Sequence, residues 1–167
     1  MRKTDGKEDR FIELTDRYKD VIGRVCCTYM SASASFDDLY QEVLINIWQG
    51  MDGFRGDSKI STWIYRTAIN TCITWHRKNK KHSSSNISSI EDLVNDPVDP
   101  TADSGLAEQI QYLRNLIAQL GAIDRAIVTM WLDECPYDEI AAVTGLSQTN
   151  VGVRLHRIKQ RLAQMME

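Results

Sequence analysis

The sequence predicts an all-α fold: two small helical domains joined by a flexible acidic linker, the C-terminal domain a helix-turn-helix. Three observations carry that expectation. Apolar residues recur every three or four positions through most of the chain, and no stretch alternates as a half-buried strand does. Residues 83–105 break the pattern with serines, acids, Pro97 and Pro100, a composition too polar to bury a core. Gly145 stands between two short amphipathic patterns, where a tight turn needs a residue that tolerates a left-handed backbone. The expected domains are therefore residues 1–82 and 106–167, with 83–105 as the tether.

Each element follows from its apolar spacing. Phe11, Leu14, Tyr18, Val21, Ile22, Val25 and Tyr29 make one helical stripe, which Ser31-Ala-Ser-Ala-Ser35 interrupts. Leu39, Val43, Ile47 and Met51 then recur every four residues, with Leu44 and Trp48 widening the face. Gly50, Gly53 and Gly56 bracket Phe54-Arg55, the punctuation of a helix end followed by a loop. A helix beginning near Ser61 carries Ile60, Trp63, Ile64, Thr67, Ala68, Thr71 and Trp75 on one face and Arg66, Asn70, Ile73 and Arg77 on the other. Beyond the tether, Leu106, Ile110, Leu113, Ile117 and Leu120 form a helix that Gly121 breaks. A short helix with Ile127, Val128, Met130 and Trp131 ends before Pro136.

At 167 residues and 43% hydrophobic content the chain is long and apolar enough to bury a core. No apolar run approaches the ~18 residues of a bilayer span, and the charged start leads into no signal-peptide core. The expected location is the cytoplasm, without membrane insertion. Cys26, Cys27, Cys72 and Cys135 lack disulfide or CxxC spacing, so reduced thiols are expected. Cys72 and His76 could supply half of a zinc site, but no complementary pair accompanies them. No nucleophile–base constellation and no phosphate-binding Gly-Lys loop stands in the chain. The sequence therefore calls for no metal, no cofactor and no catalysis.

Net charge is −3, which alone argues against nucleic acid. Its distribution argues the other way. Residues 54–82 hold Arg55, Lys59, Arg66, Arg77, Lys78, Lys80 and Lys81 against Asp57 alone. Residues 147–167 hold Arg154, Arg157, Lys159 and Arg161 against Glu167, whereas residues 83–108 carry six acids and no base. Segregated charge makes local fields matter more than the total.

The C-terminal basic segment has the form of a duplex reader. Ala141, Gly145 and Val151 occupy the crossing, the turn and the apolar contact that a helix-turn-helix needs, and Ser147 is a natural N-cap. Val151, Leu155, Ile158, Leu162 and Met165 continue as a buried stripe. Gln148, Thr149, Asn150, Val153, Arg154, Arg157 and Arg161 are left towards solvent. Polar side chains at the helix start suit base edges and phosphates, and the later arginines suit the backbone.

The N-terminal basic segment is built differently. Ser58, Ser61 and Thr62 are small hydroxyl residues beside Phe54, Trp63 and Tyr65, with Arg66, Asn70 and Arg77 on the following helix. Aromatic surfaces, short hydrogen-bonding side chains and tracking cations hold single-stranded nucleic acid. Trp63 and Trp75 lie on the apolar stripe and are assigned to the core, leaving the loop and the basic face as working surface.

The run Asp38-Leu-Tyr-Gln-Glu-Val-Leu-Ile-Asn-Ile-Trp48, then Phe54-Arg-Gly, Ser61-Thr-Trp-Ile-Tyr-Arg66, Asn70 and Arg77-Lys78, resembles the first conserved domain of bacterial sigma factors. The stretch from Leu120 to Leu162 resembles their second DNA-binding domain. Two domains and a short linker are similar to the extracytoplasmic-function (ECF) group. The resemblance implies that Asp38, Gln41, Glu42, Ile45, Trp48 and Gln49 face a coiled coil of the polymerase largest subunit. It implies that Phe54, Arg55, Ser58, Lys59, Ser61, Thr62, Arg66, Asn70, Arg77 and Lys78 capture the unpaired minus-10 strand. Ser147 to Asn150, Val153, Arg154, His156, Arg157 and Arg161 would read the minus-35 element, and the acidic tether would thread towards the RNA channel. The implied partners are core RNA polymerase, promoter DNA and a cognate anti-sigma factor covering these faces.

Three departures stand out against the family pattern. Gly121 stands where proline is common, Cys135-Pro136 where a Gly-hydroxyl lead-in is common, and Gly152 where a basic residue is common. Gly152 costs about 1 kcal/mol relative to alanine in a helix interior and removes a phosphate contact. Two other readings remain at this point: a stand-alone helix-turn-helix regulator, dimeric over paired half-sites, and a helical interaction module.

Overall fold

In the computed structural model, which describes residues 2–82 and 104–167, the chain forms α1 (Arg2–Arg17), α2 (Lys19–Tyr29), α3 (Phe36–Gly50), a 3-10 turn at Met51–Gly53, α4 (Ile60–His82), α5 (Ser104–Ala118), α6 (Ala122–Leu132), α7 (Tyr137–Thr144) and α8 (Gln148–Met165). No strand occurs among the described residues, only an isolated bridge between Ser31 and Ala34. The class is all-α, as predicted. The expected tether lies outside the described residues except for its last two positions, which already belong to α5.

The stripe from Phe11 to Tyr29 is split at Tyr18, whose φ of −108° and ψ of 14° part α1 from α2. No Gly or Pro marks this bend. It lets α1 fold over the end of α3, where Phe11 meets Trp48 edge-on at 5.3 Å and Lys7 pairs with Asp52 at 2.7 Å. The serine-rich interruption closes on itself through Ser31 and Ala34, which exchange backbone hydrogen bonds at 3.0 and 3.1 Å. Ser35 then caps α3, its Oγ accepting the Asp38 N–H at 3.1 Å, and Asp37 and Asp38 lie at the favourable N-terminal end of the helix.

Helices α2, α3 and α4 enclose the N-terminal core. Ile22, Val25, Cys26, Leu39, Val43, Ile47, Ile64, Ala68 and Cys72 are wholly buried. Each large aliphatic side chain so enclosed contributes about 1.5–3 kcal/mol of transfer free energy. In the C-terminal part Ile127, Met130, Ile140, Val151, Leu155 and Ile158 do the same for α6, α7 and α8. The two cores run together: α7 packs on α4, and α5 and α6 pack on α2. Tyr29 crosses the seam, its hydroxyl donating to the Ala122 carbonyl at 2.9 Å and its ring lying 5.2 Å from the Arg125 guanidinium.

Candidate nucleic-acid interface

The helix-turn-helix forms where the sequence places it. Gly145 ends α7 in the left-handed region, φ 78° and ψ 9°, and its N–H donates to the Ala141 carbonyl at 2.9 Å. Ser147 Oγ accepts the Asn150 N–H at 3.1 Å and caps α8, so this hydroxyl has a structural duty besides any DNA contact. With Val151, Leu155 and Ile158 buried, Gln148, Thr149, Asn150, Val153, His156, Arg157 and Arg161 are exposed on α8. Arg154 is engaged within the protein, its Nη1 donating to Asp124 Oδ1 at 3.0 Å.

Helix α3 presents a second surface. Asp38, Gln41, Ile45 and Gln49 are exposed and Glu42 is half-buried, opposite the wholly buried Leu39, Val43 and Ile47. Ile45, 48% exposed, is an apolar centre in a polar row. Trp48 differs from the expectation for a docking residue: α1 covers it through Phe11, and Lys7 Nζ lies 4.4 Å above its ring.

The third surface is the loop before α4 and the helix itself. Phe54 leans on Trp63 at 5.6 Å, and Gly56 takes φ 80° in the turn between them. Arg55, Asn70, Arg77 and Lys78 are exposed, and Ser58 and Ser61 are half-buried. Trp63 and Trp75 pack partly buried against the core. Thr62 departs from the sequence expectation of a loop hydroxyl: it is only 3% exposed, because α4 is packed by α2 and α3 and also by α7. Ile73 likewise is half-buried instead of facing solvent. Lys59 and Arg66 touch the C-terminal part: Lys59 Nζ donates to Glu139 at 3.2 Å, and Arg66 Nη2 donates to the Ala142 carbonyl at 2.8 Å.

Sequence reasoning missed the cluster beside these contacts. The Tyr65 hydroxyl donates to Asp133 Oδ2 at 2.6 Å, and Arg24 Nε meets Asp133 Oδ1 at 2.7 Å. Burial, then the Asp133 hydrogen bond, pushes the Tyr65 hydroxyl far above the ordinary tyrosine range. Burial works against the charge of Arg24, but Asp133 outweighs it and the guanidinium pKa is raised. The partners lie on α2, α4 and the end of α6, so no local spacing announces them.

The considered half-site for zinc is committed elsewhere. His76 Nε2 sits against the Tyr29 carbonyl oxygen, and Cys72 lies beside Cys26, whose thiol and the surrounding burial raise the Cys72 pKa. Among the described residues, no three His, Cys, Asp or Glu side chains are grouped to hold a metal ion. No described helix is long and apolar enough to cross a membrane.

The chain thus pairs a capped helix-turn-helix with a basic, aromatic-edged helix, the equipment of a DNA-binding transcription protein, beside a helix with an apolar-centred exposed row. Sigma-70 region 2 matches residues 14–82 and Sigma-70, region 4 matches residues 110–162. The RNA polymerase sigma factor YlaC of Bacillus subtilis is 30% identical over 131 residues, spanning 77% of this chain and 76% of that protein. The ECF RNA polymerase sigma factor SigW of the same organism is 26% identical over 166 residues, spanning 94% and 89%. In fold, the chain is similar to the sigma factor RpoE from Bartonella quintana, solved with the anti-sigma factor NepR, with a TM-score of 0.75 and 18% identity over 94% of this chain and 96% of that one.

The chain belongs to the extracytoplasmic-function group of RNA polymerase sigma factors. It is a promoter-specificity factor of bacterial RNA polymerase, and the stand-alone regulator is not favoured.

Proposed function

We propose that the three exposed surfaces divide the work of initiation. Helix α3 docks on core polymerase through Asp38, Gln41, Glu42, Ile45 and Gln49, with Trp48 acting from beneath by holding α1 and α3 together. The loop before α4 and the exposed face of α4 take the unpaired minus-10 strand: Phe54, Arg55, Ser58 and Lys59 at the loop, Ser61, Arg66, Asn70, Arg77 and Lys78 along the helix. The exposed face of α8 reads the minus-35 element, with Gln148, Thr149 and Asn150 at base edges and Arg154, Arg157 and Arg161 on phosphates. The domains are 1–82 and 106–167, and the acidic segment between them sets their reach.

The observation that supports this reading is the pairing of two exposed basic helix faces of different chemistry on one chain. The α4 side brings the stacked Phe54 and Trp63 rings and the Ser58 and Ser61 hydroxyls to its cations. A ligand shifts an equilibrium by its differential affinity for the two states, so a face that takes the single strand better than the duplex favours the open promoter. The factor works in the cytoplasm and contributes no catalytic group. An anti-sigma factor is its inhibitory partner, by analogy with the Bartonella complex.

In vitro transcription with core polymerase of the source organism, on its genomic DNA, tests the proposal. New starts sharing two spaced upstream elements are expected only when the protein is added. Tight core binding without new starts would contradict it.

A further inference from the structure

Between α1 and the loop before α4 lies a cleft of about 280 Å³. Met51, buried, and Leu14, half-buried, give it an apolar floor. The tilted pair of Phe54 and Trp63, 5.6 Å apart, stands along one side. Arg10, Glu13 and Arg17 line the other side, exposed and all on α1. Positions 10, 13, 14 and 17 share a face because their spacing follows successive helical turns. Phe11 against Trp48 and the Lys7–Asp52 pair fix α1 in this place.

The volume is just under the ~300 Å³ at which pockets for drug-sized ligands begin, so the cleft suits one planar ring system and not a partner helix. An apolar floor with aromatic rings beside it fits the face of an unpaired base. Two guanidiniums fit the phosphates that flank such a base. The carboxylate between them accepts hydrogen bonds. Cytosine and adenine turn an exocyclic amine to it where thymine turns its O4, another acceptor.

We infer that α1 is a wall of the strand-binding site, where Glu13 selects cytosine or adenine over thymine at one unpaired position and Arg10 and Arg17 hold the phosphates beside it. The inference rests on the assignment of the Phe54 loop to strand capture, and carries that surface across the cleft to a second helix. Arg10 and Glu13 precede the stretch matched to Sigma-70 region 2, which begins at residue 14. Neither makes an ion pair among the described residues, so both are available to a ligand.

The test uses holoenzyme on premelted templates of a mapped promoter, with A, C or T placed in turn at each non-template position of the minus-10 region. Wild type is expected to prefer C or A over T by about fivefold or more at one position, the low end for a specific base contact. Glu13→Gln, whose amide can also donate to O4, is expected to bring that ratio below about twofold at that position alone. Glu8→Gln removes the same charge from the opposite face of α1 and is expected to leave every ratio unchanged. Arg10→Ala with Arg17→Ala is expected to weaken binding to all templates alike and to flatten the salt slope by about 1.4, the value for two phosphates of a single strand.

No position at which wild type disfavours thymine, or a preference that Glu13→Gln leaves intact, overturns the inference. So does a preference that Glu8→Gln removes equally, or an unchanged salt slope in the arginine pair. Arg55→Ala, exposed in the loop, then locates the failure. Weakened binding to premelted templates keeps the loop as the strand face and confines the failure to α1. Unchanged binding removes the strand assignment too.

Discussion

The Tyr65 hydroxyl donates to Asp133 at 2.6 Å, tying the middle of the N-terminal fold to the residue that caps α6. The bond requires a protonated tyrosine. Asp133, Cys135 and Arg24 surround that hydroxyl, and burial with the Asp133 bond keeps its pKa well above the ordinary 10.0. Tyr29, at the same seam, is raised too, by burial first, with Arg125 opposing. A raised folded-state pKa means the stabilisation is complete below the unfolded value and is lost as pH rises through the folded one. Thermal stability is therefore expected to be flat in these groups up to about pH 10 and to decline above it. Tyr65→Phe should lower stability by about 1–2 kcal/mol at neutral pH and soften the alkaline decline. Melts across pH 8 to 12 measure both, and an alkaline slope as steep in Tyr65→Phe as in the wild type would contradict the assignment.

Backbone conformation gives opposite signs at two glycines of the helix-turn-helix. Gly145 has φ 78°, so Gly145→Ala is expected to destabilise by about 1 kcal/mol although its Cβ would meet nothing within 4 Å. Gly152 lies inside α8, where an added Cβ would touch the Tyr137 ring at an ordinary 3.5 Å. Gly152→Ala should stabilise by about 1 kcal/mol. Denaturant midpoints decide both.

Glu134 is the one non-glycine residue with positive φ among those described, at 61°. It ends α6 in the helix-terminating turn in which the Cys135 N–H reaches the Met130 carbonyl at 3.0 Å. Glu134→Gly relieves the left-handed strain and should stabilise by about 1 kcal/mol in the same denaturation assay.

Asp124 holds Arg154 Nη1 at 3.0 Å and so competes with a phosphate for this guanidinium. Asp124→Ala should tighten holoenzyme binding to minus-35 duplex a few-fold. Arg154→Ala should weaken it and reduce the salt slope by about one ion. An unchanged slope in Arg154→Ala would remove this residue from the phosphate contacts.

Ile45, half-exposed on α3, should tolerate Ile45→Ser with little loss of fold stability, since no core depends on it. The same change is expected to weaken core polymerase binding about tenfold or more if it is a central docking residue. Surface plasmon resonance on immobilised core enzyme measures this.

Helical periodicity is legible at nearly every element because each helix buries one face. Leu39, Val43 and Ile47 on α3, and Val151, Leu155 and Ile158 on α8, all lie where their spacing puts them. The helix-turn-helix is legible because Gly145 and Ser147 carry a conformation and a cap that few other residue types supply. The bend at Tyr18 is not, since tertiary contacts of Phe11 and Lys7 make it without a breaker residue. Spacing points Ile73 outward, and its hydroxyl beside the loop points Thr62 to the same surface, because periodicity describes one buried face, whereas α4 is packed from more than one side. The Tyr65–Asp133–Arg24 cluster joins positions far apart in the chain, where sequence spacing carries no signal.

The division of labour between the two basic faces is tested most directly by permanganate footprinting of unpaired thymines, alongside duplex binding, in holoenzyme assembled on a mapped promoter. Asn70→Ala with Arg77→Ala is expected to abolish most permanganate reactivity while leaving closed-complex affinity within about threefold, a difference under about 1 kcal/mol. Arg157→Ala should lower duplex affinity and leave the opening of bound complexes intact. Equal loss of opening and duplex binding in both variants would contradict the account.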